Sequence, residues 1–487
     1  MNVEGEGGKA AGRPVTVSGV VPALALRAEL GPPRTECGVG ALMPWAGRLW
    51  AVSYVSSKGR SGVGTGFYEI DDDFRLTRRP ESRVGTYTNR MVHFPSNQLF
   101  IGPHVIDADR NVRTVEELID VRLCSTMYHL EDPDNMVYML GMEGEFFEMD
   151  VRTLEVRQLF DLGAVLESPR PPDVHFKAGY SALGKVVVAA NDYQEDDFLG
   201  RVEGGRLAEW DGKEWTILER KPFVEVTGRG KWSGTMFATG WDRASAILKV
   251  YTQADDRWTT YRLPKASHTY DHAWQTEWPR IRETEHERFL MDCHGMFYQL
   301  STWAYGGRVW GVKPISTHLW VLGDFCSWLG LLVLGADNAS PSGADNPLCG
   351  EPQSGLWFGK TDDLWAFGKP SGWGGPWWKT PVRAGEPSDP YLMTGFDGKV
   401  LHLAREEEGA VTFTVEVDFL GDGSWRTYDS FRVAQAPSPE GTRPGASELH
   451  REAGGYVHHE FPAGFSAHWV RVTADADCTA TAYLHYT

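Results

Sequence analysis

Several signatures of specialised chemistry are missing from this sequence of 487 residues. It contains no GxSxG nucleophile elbow, no P-loop, no GxGxxG after a strand, and no HExxH or zinc-finger spacing. Serine-esterase, nucleotide and classical zinc chemistry need those groups at fixed local spacings, so these absences argue against all three. Any active site must be assembled from residues that lie far apart in the chain.

Cysteine is also scarce. The six cysteines form no CxxC pair and show no disulfide-framework spacing, so we expect mainly reduced, buried thiols. Residues 1–14 are Gly-rich and lack the pattern of a secretory signal. The expected location is therefore cytoplasmic, or secreted if the sequence has been trimmed at its start.

Positive charge is in deficit, with 48 Lys and Arg against 66 Asp and Glu and a formal net charge of −18. No basic run appears, and nucleic-acid binding needs clustered Lys and Arg to neutralise phosphates. The most apolar stretch, 318–336, is interrupted by Asp324 and Ser327, which predicts two buried strands rather than a membrane span. We expect no nucleic-acid and no membrane partner, and the oligomeric state stays open.

Aromatic residues and glycine are abundant, with 20 Trp, 17 Tyr, 22 Phe and 54 Gly, which favours many short strands and turns. Seven β-branched or aromatic runs recur about every 40–50 residues, and most are followed by an apparent outer hairpin. The runs lie at 49–54, 99–104, 137–143, 186–192, 236–242, 289–294 and 331–338. Four short strands per repeat of this length predict a β-propeller, and the in-phase repeats disfavour the alternative of one β-sandwich or jelly roll.

The predicted fold is all-β: a seven-bladed β-propeller over 35–385 and a C-terminal β-sandwich over 386–487, where the period is lost. Residues 1–34 form an N-terminal segment, and a strand around 15–30 completes a blade or clasps the sandwich. In a propeller, the loops after each second strand and those before each innermost strand emerge on one face. Polar residues at these places are therefore expected to converge.

This convergence predicts a site for carbohydrate chemistry. Carboxylates facing a sugar, with His as acid or base, can cleave a glycosidic bond, and Trp rings provide flat platforms for sugars. The catalytic candidates are Asp192, Asp271, His272, Glu277, Asp292 and His294. The substrate-binding candidates are Asn89, Arg90, Lys177, Trp232, Trp241, Trp274 and Asn338. For each residue alone, the competing interpretation is a turn aspartate or a core histidine.

A metal site is a further possibility. His104, His175 and His318 come from different repeats, and with His272 and His294 they would ring the axis of a propeller and hold a divalent ion such as Ca or Mn. No local spacing supports this, so the expectation is either no required cofactor or such a metal.

With the repeat over 35–385 and the appended 386–487, the chain resembles seven-bladed propeller enzymes that act on polysaccharides, both glycoside hydrolases and polysaccharide lyases. The resemblance implies a glycoside hydrolase with an oligo- or polysaccharide substrate, and a lyase acting by β-elimination at a uronic acid as the alternative. Some such lyases use a ring of histidines, to which His272, His294 and His318 are similar in position. A non-catalytic propeller that binds a sugar or a protein on the same face is the third possibility.

Overall fold

The computed structural model describes residues 24–26, 36–55, 66–81, 89–168, 174–192, 204–267, 279–305, 308–339, 354–434 and 455–487. Regular structure within them is almost entirely β-strand. The exceptions are one helix, α1 (Leu162–Val165), and 3-10 turns at Glu116–Leu118, Gly230–Trp232 and Thr361–Ala366. None of the helices in these ranges is long and apolar enough to cross a membrane.

Most strands form antiparallel sheets of four, because short strands joined by tight turns pair with their neighbours in sequence. The first strand, β1 (Leu24–Leu26), pairs with a strand much later in the chain. Sheet 1 contains β2 (Glu36–Trp45), β3 (Arg48–Val55), β4 (Phe67–Ile70) and β5 (Leu76–Arg78). Sheet 2 contains β6 (Arg90–His93), β7 (Gln98–Ile101), β8 (His104–Asp107) and β9 (Val112–Thr114). Sheet 3 contains β10 (Leu123–Tyr128), β11 (Met136–Gly141), β12 (Glu145–Asp150) and β13 (Val156–Asp161).

Four further sheets follow the same pattern. Sheet 4 contains β14 (Phe176–Ala182), β15 (Lys185–Ala190), β16 (Arg206–Trp210) and β17 (Trp215–Glu219). Sheet 5 contains β18 (Phe223–Gly228), β19 (Thr235–Trp241), β20 (Ala246–Thr252) and β21 (Arg257–Leu263). Sheet 6 contains β22 (Arg280–Glu285), β23 (Arg288–Cys293), β24 (Met296–Ser301) and, after a small hairpin of β25 (Ala304–Tyr305) and β26 (Arg308–Val309), β27 (Lys313–Thr317). Sheet 7 contains β28 (Val321–Trp328), β29 (Leu331–Ala339), β30 (Ser354–Gly359) and β1.

The first strands of these sheets form a ring. Each contacts the first strand of the next sheet, from β2 through β6, β10, β14, β18 and β22 to β28, and β28 contacts β2. Apolar side chains fill the space between neighbouring sheets, as Phe100, Leu123 and Met139 do between sheets 2 and 3. A radial arrangement of short antiparallel sheets buries both faces of each sheet, so the chain is all-β and propeller-like.

The N-terminal strand completes sheet 7, which is one of its two predicted placements, since Leu24 pairs with Leu356 and Leu26 with Ser354. The segment 364–378, which follows the last of the seven runs and which we expected to form its outer hairpin, does not form one. This segment instead contains the end of a 3-10 turn and the start of β31 (Gly372–Val382), which pairs with the last strand of the chain. Its alternating aromatic pattern predicts a strand but carries no information about the partner.

The C-terminal strands form two further groups of four. They are β31, β32 (Tyr391–Leu392), β33 (Lys399–Arg405), β34 (Ala410–Asp418), β35 (Arg426–Ala434), β36 (Tyr456–Glu460), β37 (Trp469–Ala474) and β38 (Cys478–Tyr486). One group has the order β31-β38-β33-β36 and the other β32-β37-β34-β35. Burial alternates along β33 and β34, and their inward residues share one apolar core that also contains Leu248 of sheet 5 and Met291 of sheet 6.

Candidate functional site

A cavity of about 210 Å³ lies among the first strands of sheets 2 to 6. We call it the axial cavity, because those strands belong to the ring described above. Polar and apolar side chains line it together: Arg90, Met91, Ser125, Thr126, Met127, Tyr128, Ala178, Gly179, Tyr180, Ser181, Glu225, Val226, Thr227 and Arg282.

β-Bulges set the positions of several polar groups near the axis. The first strands of sheets 3, 5 and 7 have a register shift just after they begin, and the residue following the shift is Ser125, Glu225 or Asp324. A bulge adds one unpaired residue and re-aims the side chains around it. The same local device therefore introduces a hydroxyl or a carboxylate in three of the inner strands.

Charged side chains around the axis form one connected cluster, which we call the axial ion cluster: Arg90, Glu225, Arg282 and Asp324. Arg90 Nε donates to Asp324 Oδ2 at 2.5 Å, and Arg282 Nε donates to Asp324 Oδ1 at 2.7 Å. Arg282 Nη1 also donates to Glu225 Oε2 at 2.9 Å, and the Leu42 backbone N–H donates to Asp324 Oδ2 at 2.8 Å. The cluster thereby connects sheets 1, 2, 5, 6 and 7.

The cluster balances its own charge with two cations and two anions. Burial alone would raise the pKa of the Asp324 carboxyl, but Arg282 and Arg90 lower it below its ordinary value. Burial opposes the charge on Arg282, and Asp324 and Glu225 raise its pKa. Arg90 is a predicted substrate-binding residue, but its guanidinium is already held by Asp324 and has little capacity left for a ligand.

Two of the carboxylates predicted to be catalytic, Asp192 and Asp292, lie within the described residues and make internal hydrogen bonds. Asp192 Oδ2 accepts from Ser168 Oγ at 2.6 Å, and Asp192 Oδ1 accepts from the His175 backbone N–H at 2.9 Å. Asp292 Oδ1 lies 2.9 Å from His318 Nε2, and both side chains are buried. These contacts fix the connections that lead into sheets 4 and 7, so the carboxylates act as structural anchors.

His294 occupies the tight turn between β23 and β24, with a φ of 52°, and it is fully buried. Neither ring nitrogen makes a hydrogen bond of normal geometry within the described ranges. Burial lowers the pKa of this imidazole well below its usual value; nearby Lys265 adds to the shift, and the Gly240 backbone opposes it. The predicted substrate platform Trp241 is likewise buried and packs edge-on against His294, with ring centroids 5.6 Å apart.

The three histidines predicted to hold a metal belong to different parts of the ring of sheets. His104 is buried, stacks on Phe67 and lies 3.1 Å through Nδ1 from Thr114 Oγ1. His318 is paired with Asp292, and His175 precedes sheet 4. Among the described residues, no group of three or more His, Cys, Asp or Glu side chains is arranged to hold a metal ion. The metal prediction therefore has no support in that part of the chain.

The remaining predicted site residues lie in several different places in the structure. Asn89 is buried and links two sheets, donating through Nδ2 to the Gly102 carbonyl at 2.8 Å and accepting from Thr126 Oγ1 at 2.6 Å. Lys177 is buried in β14, and Asn338 lies in β29 beside Cys37. Asp271, His272, Trp274 and Glu277 lie outside the described residues and stay predictions.

The placement of Trp232 is wrong. Within each sheet, the turns between first and second strands lie on the face opposite the connections between sheets, because neighbouring strands are antiparallel. Trp232 belongs to the turn between β18 and β19, and its side chain is 78% exposed there. As a substrate-binding candidate, Trp232 was expected on the opposite face, in a connection that leads into an innermost strand.

Three members of the axial ion cluster were not predicted as site residues: Glu225, Arg282 and Asp324. The available signal was a charged residue within a short β-branched or aromatic run, as in Phe223–Gly228 and Val321–Trp328. Buried charges need partners, so such a residue indicates a partner elsewhere in the chain. It does not identify that partner.

No protein-family model and no curated protein matches this chain. Solved structures similar to it include the WD40 β-propeller domain of Doa1, at 10% identity and a TM-score of 0.38 over 71% of this chain and 98% of that one. The β-propeller domain of Myceliophteria thermophila Cps50 (Swd1) has 11% identity and a TM-score of 0.38 over 69% and 98%. A chain of the mitotic checkpoint complex has 11% identity and a TM-score of 0.41 over 74% and 100%. At these identities the likeness concerns the fold alone.

The predicted oligo- or polysaccharide partner is wrong. The similar structures reported above are a WD40 β-propeller domain, another β-propeller domain and a chain of the mitotic checkpoint complex, and none of them is described as a glycoside hydrolase or a polysaccharide lyase. The resemblance to propeller enzymes therefore extends to the propeller-like fold and no further.

Proposed function

We propose that this chain is a seven-bladed β-propeller with a C-terminal β-sandwich beginning near residue 372, and that it is a non-catalytic scaffold that binds a protein. The ring of contacts among the seven first strands supports the propeller, and the shared core of β33 and β34 supports the sandwich. The absence of catalysis is supported by the buried, internally bonded state of Asp192, Asp292 and His318. An acid or base must reach a substrate proton, and these groups are occupied within the protein.

The observation that carries the binding proposal is a set of exposed apolar side chains on one face. We call this the turn face: the face formed by turns between first and second strands and between third and fourth strands. Phe94 in sheet 2 and Trp232 in sheet 5 are each 78% exposed, and Leu329 in sheet 7 is 54% exposed. All three lie in turns that leave the inner strands, so they surround the axis, and large exposed aromatic groups are typical anchors of protein interfaces.

The periphery of the turn face is acidic. The turns between third and fourth strands carry aspartates in five sheets: Asp71, Asp72, Asp73, Asp107, Asp109, Asp150, Asp211, Asp255 and Asp256. Two of these carboxylates accept hydrogen bonds within their own turns. The strongest effect on Asp107 comes from the Asn111 side chain, and that on Asp150 comes from the Thr153 backbone N–H; these bonds lower the pKa of both carboxyls. The carboxylates are therefore charged at neutral pH. An apolar centre with a negative rim fits a protein segment that has an apolar anchor flanked by Lys or Arg.

The proposal is tested with a photo-crosslinking amino acid at position 232 or 319, in the cells from which the protein comes. Leu319 is the control, because its side chain is 89% exposed in the connection between sheets 6 and 7, on the face opposite the turn face. We expect a protein adduct from position 232 and not from 319. With the captured partner purified, Trp232→Ser should weaken binding by about 30-fold, the value of a hot-spot residue, and Leu319→Ser should leave it unchanged.

Two results would contradict the proposal. One is equal crosslinking or equal loss of affinity at positions 232 and 319, which would remove the turn face as the interface. The other is turnover of an oligosaccharide by the purified wild-type protein that is lost in Asp292→Asn at unchanged melting temperature, which would restore an enzymatic function.

A further inference from the structure

A second cavity, of about 180 Å³, lies where β21 and β26 meet the C-terminal strands. We call it the side cavity. Its lining combines cationic, aromatic and glycine residues: Arg257, Thr259, Tyr261, Arg308, Pro390, Asp418, Gly421, Gly423, Trp425 and Trp469. It shares no residue with the axial cavity or the turn-face anchors, so an inference about it does not rest on the proposed function.

Two arginines give the side cavity positive charge. In the part of the chain that the structure describes, neither Arg257 nor Arg308 has an ion-pair partner within 4.0 Å. Burial raises the pKa of the Tyr261 hydroxyl, whereas both guanidinium groups lower it, which is consistent with their positions around this ring. Two guanidinium groups at one cavity without an ion-pair partner among the described residues leave room for an anion between them.

A buried hydrogen-bond donor also lacks a partner here. Trp469 is 1% exposed, and its indole Nε1–H makes no hydrogen bond within the described ranges. A Cβ built on Gly421 would lie 3.2 Å from this nitrogen, so the glycine leaves space beside the donor. Leaving a buried donor unsatisfied costs about 1–3 kcal/mol, and a ligand acceptor would remove that cost.

Asp418 is the one acidic residue among the described residues of the lining, so the two arginines leave the side cavity with one positive charge in excess. Asp418 Oδ1 accepts from the backbone N–H groups of Leu420 at 3.2 Å and Gly421 at 2.9 Å, and Oδ2 accepts from Gly423 N–H at 2.6 Å. These bonds fix the loop and occupy the carboxylate. The Asp422 carboxylate accepts a hydrogen bond from the Ser424 backbone N–H, and it also interacts electrostatically with Arg308.

From these observations we infer that the side cavity binds a small oxyanion, with a phosphate group as the best match. Guanidinium groups bind phosphate through planar, charge-assisted hydrogen bonds, and the Trp469 N–H supplies a further donor. The cavity is smaller than the roughly 300–1,000 Å³ of sites for whole drug-sized ligands. It therefore accommodates a phosphate head group rather than a complete nucleotide or cofactor.

Isothermal titration of the full chain with inorganic phosphate, phenyl phosphate or acetate tests the site at low ionic strength. We expect saturable one-site binding of both phosphates and weaker binding of acetate. Arg308→Met and Arg257→Met should each weaken phosphate binding by about 10- to 100-fold, the range for hydrogen bonds to a charged group. Trp469→Phe keeps the ring but removes the donor, and it should weaken binding by about 3- to 10-fold.

Arg432→Met is the matched control, because it removes an equal charge from an exposed position on β35. Phosphate affinity should change less than about twofold in this variant, since Arg432 does not line the side cavity. Absence of saturable phosphate binding by the wild-type chain would overturn the inference. Equal losses in Arg432→Met and Arg308→Met would also overturn it, as would unchanged affinity in a folded Trp469→Phe protein.

Discussion

Neutralising Asp324 should strongly destabilise the ring of inner strands. Its carboxylate is fully buried and receives donors from Arg90, Arg282 and the Leu42 backbone. Asp324→Asn keeps the shape of the side chain but removes the negative charge. The variant also presents an N–H₂ group where only acceptors fit, so two guanidinium groups face one remaining carboxylate, that of Glu225.

The size of the effect follows from this imbalance. Removing one partner of a buried ion pair typically costs about 3–5 kcal/mol, because the other charge is left uncompensated. Asp324 serves two arginines, whose side chains are 13% and 12% exposed, so water reaches them only in part. We therefore expect a loss of about 3–5 kcal/mol, a large share of the 5–15 kcal/mol that stabilises most folded proteins.

Urea unfolding followed by circular dichroism measures this loss as a shift of the midpoint. Asp397→Asn is the matched control, since Asp397 pairs with Lys369 at 2.9 Å with side chains 81% and 60% exposed, and exposed pairs contribute little to stability. The lowered pKa of Asp324 means that its contribution is present above the unfolded-state pKa of about 3.9 and falls as pH drops through the folded-state pKa. A cost below about 1 kcal/mol for Asp324→Asn, or one equal to that of Asp397→Asn, would refute the role of the axial ion cluster.

Three further predictions concern separate parts of the molecule. Asp242→Asn should lower stability by about 1–3 kcal/mol in urea unfolding, because the partly exposed carboxylate accepts two hydrogen bonds of 3.0 Å from Arg262. Burial raises the pKa of all four described thiols. A double variant, Cys37→Ser with Cys349→Ser, keeps only these four, and none of them should react with a disulfide reagent until the protein unfolds. Rapid labelling of the native double variant would contradict this. Buried His294 is neutral when folded and takes up a proton when unfolded, so its contribution is complete above about pH 6.5 and is lost as pH falls below that value. His294→Asn, which tolerates the positive φ, should flatten the decline of the urea midpoint between pH 6.5 and 5.5, and an unchanged pH profile would refute this.

The strand pattern within each repeat was predictable from sequence, because alternation and turn residues are local. The runs 137–143, 186–192 and 236–242 coincide with β11, β15 and β19. Pairing between distant segments was not predictable in the same way. The strand that completes sheet 7 is separated by more than 300 residues from its partner β30, and β31 has a partner at the far end of the chain.

In sheet 5, the position of Trp232 within the four-strand repeat was predicted wrongly for a specific reason. Its first and second strands are joined by a six-residue turn containing a 3-10 segment, whereas sheet 4 uses a two-residue turn, Leu183–Gly184, at the same place. A longer turn moves the apparent start of a strand along the sequence by several residues. Trp232 was consequently assigned to the wrong face, although the second strand after it was located correctly.

The positions of the polar residues were predicted more accurately than their roles, for a physical reason. A closed ring of sheets must join strands that are distant in sequence, and each junction buries backbone and side-chain polar groups that need partners. Asn89, Asp192 and Asp292 supply those partners at three junctions, so their appearance on one face is expected from closure alone. An active site would place the same residue types there but leave a lone pair or a proton accessible. Residue type and position within the repeat therefore do not distinguish a structural junction from an active site. The hydrogen-bond partners of the buried oxygen and nitrogen atoms do distinguish the two.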